Sequence, residues 1–89
     1  MKDQYEYQKL ADVLRAVAHP TRLRIIDALL NCQGCVKELE KAVGKKQAIV
    51  SQHLFILRSA GVVDFMVKGK TRCYFLKNVG KIKKLLAVR

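Results

Sequence analysis

Lys45-Lys-Gln-Ala-Ile-Val-Ser-Gln-His-Leu-Phe-Ile-Leu-Arg-Ser-Ala-Gly61 is the stretch on which the reading of this chain turns. At about 100° per residue, Val50, Leu54 and Leu57 share one stripe of a helix. Gln47, Ala48, Ser51, Gln52 and Arg58 lie on or beside the opposite side. Small residues next to short hydrogen-bonding side chains let a helix come close to base edges in a DNA major groove, where Gln and Ser meet donors and acceptors. Gly61 supplies the C-terminal stop. A surface helix whose Gln and Ser simply face water would show the same pattern, so the flanks have to decide.

Upstream, Val36-Lys-Glu-Leu-Glu-Lys-Ala-Val43 reads as a short helix with Leu39, Ala42 and Val43 inward, closed by Gly44. Two helices joined by a few residues containing Gly fit a helix-turn-helix. Downstream, Val62-Val-Asp-Phe-Met-Val-Lys68 and Thr71-Arg-Cys-Tyr-Phe-Leu76 are β-rich runs separated by Gly69-Lys70, a hairpin signal. Lys68, Lys70 and Arg72 stand at its tip. A hairpin with a cationic tip beside a recognition helix is a wing. On this reading Gln47, Ala48, Ser51 and Gln52 contact bases, Lys45, Lys46, Lys68, Lys70 and Arg72 meet phosphates, and Arg58 is a further DNA-binding residue beside them.

The charge agrees with that reading. The chain has 89 residues and a net charge of +11, so we expect a single domain over 1–89 that prefers anions. Phosphate contacts dominate nucleic-acid affinity, and double-stranded DNA is the expected partner. A membrane is the competing anion, but no apolar run approaches the roughly 20 residues needed to span one. Asp3, Gln4, Glu6 and Gln8 interrupt any signal-peptide core, so a cytoplasmic location is expected.

Both ends carry apolar stripes at helical spacing: Tyr5, Leu10, Val13, Leu14 and Val17, then Val79, Ile82, Leu85 and Leu86. A chain this short buries only part of its surface, so these faces are read as covered by a second copy in a homodimer. Folding back onto the same core is the other arrangement. Between the first helix and the helix-turn-helix, Pro20 suits a first helical position, where its missing N–H costs nothing. Leu23, Ile25, Ile26, Leu29 and Leu30 then face inward.

Taken together, Ala18-His-Pro-Thr-Arg-Leu-Arg-Ile-Ile26, Gln47-Ala-Ile-Val-Ser-Gln-His-Leu54, Leu57-Arg-Ser-Ala-Gly-Val-Val63 and Gly69-Lys-Thr-Arg-Cys-Tyr-Phe-Leu76 resemble the ArsR/SmtB family of winged-helix repressors. The resemblance implies a mainly α winged helix-turn-helix with a small β-hairpin, in the order α1-α2-β1-α3-α4-β2-β3-α5, its first strand near residues 34–36. It also implies a dimer built through the terminal helices that represses transcription from a palindromic operator until an effector binds. Two residues depart from the pattern. Lys46 stands where a Ser usually caps the recognition helix, and Lys can neither accept the free N–H groups nor suit the helix dipole. Phe55 stands on the exposed side, where a polar residue is expected.

The same resemblance bears on the effector. Val79-Gly-Lys-Ile-Lys-Lys-Leu-Leu-Ala-Val-Arg89 holds neither the His nor the Asp with which zinc and nickel sensors of this family bind metal on the last helix. Cys35-Val-Lys-Glu-Leu39 keeps the first thiol of the Cys-Val-Cys-Asp-Leu pattern of arsenic, cadmium and lead sensors, with Lys37 in place of the second. What remains is Cys32-x-x-Cys35 in a Gly-containing turn, with Cys73 joining only if the second wing strand pairs with the short first strand. Such thiols suit soft ions like As(III), Hg(II), Cd(II) or Cu(I), or a dithiol, disulfide or persulfide response. Cys73 reads first as a residue packed in its strand, since free Cys behaves as a small hydrophobe. No cofactor is required. Enzyme readings find no support: there is no βαβ unit beside the Cys-x-x-Cys, no Gly-rich phosphate loop and no carboxylate cluster. A winged helix serving as an effector-independent architectural or protein-interaction module is the alternative.

Overall fold

The computed structural model describes residues 4–31 and 34–87; Cys32 and the side chain of Leu85 fall outside the described residues. The order is α1 (Gln4–Val17), α2 (Pro20–Asn31), β1 (Gly34–Cys35), α3 (Val36–Val43), α4 (Gln47–Ser59), β2 (Val63–Lys68), β3 (Thr71–Leu76) and α5 (Val79–Leu86). It is a winged helix-turn-helix, mostly helical with a small antiparallel sheet of order β1-β3-β2.

Local chemistry accounts for the boundaries. Pro20 opens α2, and the Thr21 N–H donates to His19 Nδ1 at 3.1 Å, so His19 caps the helix through its ring. Gly44 ends α3 with φ +68°, a left-handed conformation that costs glycine little, and its N–H bonds Glu40 O at 2.8 Å. α4 closes when Val62 N–H reaches back to Leu57 O at 2.9 Å. Lys46 precedes α4 as its cap residue and makes no side-chain capping bond.

One apolar cluster holds these elements together. Ile25, Val50, Leu54 and Leu57 are fully buried, each contributing about 1.5–3 kcal/mol by area. Leu39 and Val43 of α3, Val62, Val63 and Leu76 of the hairpin, and Ile82 of α5 complete it. Gly34 shows why β1 sits where it does. A Cβ there would lie 3.3 Å from Leu39 Cδ2 and 3.6 Å from Leu29 Cδ2, so a larger residue would need the Leu39 side chain to give by a few tenths of an ångström, and glycine lets the strand lie against α2 and α3 without that shift.

Two expected inward residues face out instead. Ala42 is exposed, because the buried stripe of α3 runs from Leu39 to Val43 and leaves Ala42 on its flank. Leu23 is 38% exposed. With Leu14, Val17, Ile82 and Leu86 it lines an apolar groove of about 390 Å³ between α1, α2 and α5. Leu10 and Leu14 of α1 are likewise open to solvent.

Candidate nucleic-acid interface

α4 turns Val50, Leu54 and Leu57 into the core and so fixes what its other side presents. Gln47, Ala48, Ser51 and Gln52 are all exposed there, as are Lys45 and Lys46 just before the helix and Lys68, Lys70 and Arg72 on the wing. A helix of 13 residues is about 20 Å long, a length and width that a major groove admits. Residues 45–72 hold six cations and a single carboxylate, Asp64. Between α3, α4 and the wing opens a cleft of about 630 Å³, lined by Gln47, Ser51, Arg58, Lys70 and Arg72 among others. Gln47 and Ser51 therefore share one concave surface with Arg58, Lys70 and Arg72, while Ala48 and Gln52 lie further round the helix beside Arg22 and His53. Phe55, 71% exposed, stands on the same side of α4.

Arg58 is tied differently from the other cations. Its Nε donates to Asp64 Oδ1 at 3.0 Å, and its guanidinium lies 4.5 Å from the Phe65 ring centre. Arg72 sits 4.6 Å from the same ring. Phe65 thus gathers one cation from α4 and one from β3, an arrangement worth about 0.5–1 kcal/mol for each contact at an exposed site. The carboxyl of Asp64 is held below its ordinary range by the Phe65 N–H first and by Arg58 second. The end of α4 is in this way pinned to the wing. Nothing in the local sequence signals this, since Phe65 and Asp64 read simply as strand residues.

A second contact holds the middle of α4. Arg22 Nε donates to His53 Nδ1 at 3.1 Å, and its other arm donates to Ala16 O at 3.1 Å. The His53 ring packs at a tilt of 51° against His19, with centres 4.6 Å apart. His53 is held below its ordinary value by desolvation first, then by His19, Arg22 and Lys45. Accepting a bond at Nδ1, it is a neutral ring. Arg22 is a positioning residue that inspection of the sequence passes over, because its partner lies in a different helix.

Two of the three cysteines come together. Cys35 and Cys73 are direct cross-strand partners of β1 and β3, both half-buried and free. The Cys35 thiol donates to Glu38 Oε1 at 3.1 Å, so its hydrogen-bond partner is a carboxylate. Cys32 lies outside the described residues. Among those described, no three His, Cys, Asp or Glu side chains gather to hold a metal, and no helix is long and apolar enough to cross a membrane.

Comparison with known proteins places this surface in context. The profile of the bacterial regulatory protein, arsR family, matches residues 19–64, which covers both helices of the helix-turn-helix. The HTH-type transcriptional repressor SmtB of Mycobacterium tuberculosis is 45% identical over 65 residues, 73% of this chain and 48% of that protein, so the chain spans about half of that relative's length. HlyU from Vibrio cholerae superposes with a TM-score of 0.85 at 31% identity, over 94% of each chain. A homodimeric winged helix-turn-helix DNA-binding domain from Mycobacterium bovis superposes with a TM-score of 0.86 at 26% identity, over 99% of this chain and 85% of that one.

Proposed function

Because the chain belongs to the arsR family of bacterial regulatory proteins, we propose that it is a dimeric DNA-binding repressor released from a palindromic operator by a thiol-directed effector. It is a transcriptional regulator and not an enzyme. The observation that carries the proposal is the exposed strip Gln47, Ala48, Ser51 and Gln52. It rides on a helix whose other side is fully buried, between Lys45 and Lys46 on one flank and the cationic wing on the other. Base-edge contacts from such a strip specify sequence, and the cations position the helix and supply most of the affinity. The homodimeric neighbour and the apolar groove beside α1 and α5 support pairing through the terminal helices.

The effector acts at thiols on this reading: Cys32 and Cys35, with Cys73 brought beside Cys35 by strand pairing. Cys35 ends β1 and precedes α3, the first helix of the helix-turn-helix, and Cys73 lies in β3. An effector that binds the DNA-bound and free shapes unequally shifts the balance between them. A soft ion, or oxidation or persulfidation of the thiols, meets the chemistry present. Footprinting on the chain's own upstream DNA, with and without arsenite, cadmium, mercury, peroxide and polysulfide, tests both halves. We expect protection of a short inverted repeat that one of these agents abolishes in the parent but not in the Cys32→Ser, Cys35→Ser double variant. Protection without sequence preference would instead mark an architectural module.

A further inference from the structure

One aromatic ring stands where the recognition helix meets the wing. The Phe65 ring centre lies 4.5 Å from the Arg58 guanidinium and 4.6 Å from that of Arg72, so the two cations stand within twice that distance of one another. Strand register accounts for Arg72. Phe65 of β2 opposes Tyr74 of β3, and Arg72, two residues before Tyr74, shares its face and lies diagonal to Phe65. Tyr74 and Leu76 turn that face into the core. Helical spacing accounts for Arg58. Gln47, Ser51, Phe55 and Arg58 follow one another at intervals of three or four residues along α4, and all four line the cleft together with Phe65 and Arg72. The ring is itself anchored, packed at a tilt of 54° against buried Tyr74 with centres 5.4 Å apart.

We propose that Phe65 is a positioning residue for DNA binding: it holds Arg58 and Arg72 ready at the seam of helix and wing, so that their grip on backbone phosphates comes in register with base contacts from Gln47 and Ser51. This rests on the DNA-binding reading above and goes beyond it by naming what arranges the cations. Two guanidiniums so close repel each other, in a chain that already carries +11. The negative face of the ring attracts both. Asp64, the single carboxylate of residues 45–72, takes Arg58 Nε at 3.0 Å and offsets part of the repulsion. Free of the ring, each long side chain would sample many rotamers, and only the fraction aimed into the cleft could bind. Apparent affinity falls by that fraction, so holding the side chains beforehand tightens the complex without any new contact to DNA. Each ring contact at an exposed site is worth roughly a twofold to fivefold preference for the held arrangement. Losing both should weaken operator binding roughly fivefold to thirtyfold.

The test is binding of the chain's own upstream DNA by Phe65→Leu and Phe65→Tyr, beside NMR of the arginine Nε–H resonances in the DNA-free protein. Leu keeps an apolar side chain against Tyr74 and removes the ring; Tyr keeps the ring. Phe65→Leu should lose the affinity stated above together with the ring-current shifts of Arg58 and Arg72, and Phe65→Tyr should keep both. A double-mutant cycle separates positioning from mere packing of the wing. In a chain already carrying Arg58→Ala and Arg72→Ala, Phe65→Leu should cost nothing further, whereas a ring that only packs would cost the same in either background. Thermal melts of every variant separate a lost clamp from a lost fold. The proposal fails if Phe65→Leu binds as the parent does, if Phe65→Tyr is as weak as Phe65→Leu, or if the cycle is additive. A parent that binds no DNA at any salt concentration overturns the DNA-binding reading instead, and the NMR shifts would still report the ring contacts.

Discussion

Gln52 on α4 and Lys70 on the wing both face solvent, yet losing each should have a different signature. Gln52→Ala removes a candidate base contact. Relaxed sequence preference is expected, at a cost of about 1–3 kcal/mol on the cognate site and little elsewhere. Lys70→Ala removes a candidate phosphate contact, so affinity should fall on every sequence alike and the salt slope should flatten by about one unit. Binding isotherms on cognate and scrambled DNA at several salt concentrations distinguish the two; an unchanged Gln52→Ala variant would refute the assignment of this face. His53 adds a pH dependence of known sign. Its value is depressed below 6.5 by desolvation and by the nearby His19, Arg22 and Lys45. The unfolded chain therefore takes up a proton that the folded one refuses. The stability linked to His53 is full above pH 6.5 and drains as the pH falls through the lower folded value. Protonation also turns Nδ1 from acceptor to donor and breaks the Arg22 bond. Thermal melts across that range should show an acid loss that His53→Gln reduces.

Among the elements, α4 begins badly for a helix and well for a DNA reader. Its cap residue Lys46 makes no side-chain bond to the first turn, and its charge opposes the helix dipole. Lys46→Ser should stabilise the fold by about 0.5–2 kcal/mol while weakening DNA binding, and denaturant unfolding beside a binding curve would reveal the trade. A Ser variant that gained stability and kept full affinity would show that Lys46 does not contact DNA. The same helix shows how far the sequence could be read. Its buried stripe, the Gly44 and Gly61 stops and the two-residue hairpin loop are local signals, and the elements fall where those signals lie. Inward positions at the margin of a stripe were less legible: Ala42 and Leu23 sit where a small rotation of the helix decides the face. The attachments of α4 were not legible at all. Arg58 to Asp64 and Phe65, and Arg22 to His53, depend on how separate elements dock.

At the scale of the whole molecule, the uncovered groove along α1, α2 and α5 is the feature that calls for a second copy. Leu14, 44% exposed beside it, is the residue to change. Leu14→Glu should yield monomers in sedimentation and a large loss of operator affinity, because only a dimer presents two recognition helices spaced roughly 34 Å apart. A parent chain that sedimented as a monomer at micromolar concentration would refute the pairing. Terminal helices that leave a leucine-lined face open also have a consequence for dosage. Below the concentration at which copies associate, the amount of operator-ready protein rises with the square of the number of chains, so halving expression should cut operator occupancy about fourfold. A cell carrying this gene would then pass from open to closed promoter over a narrow range of expression, even before any effector arrives.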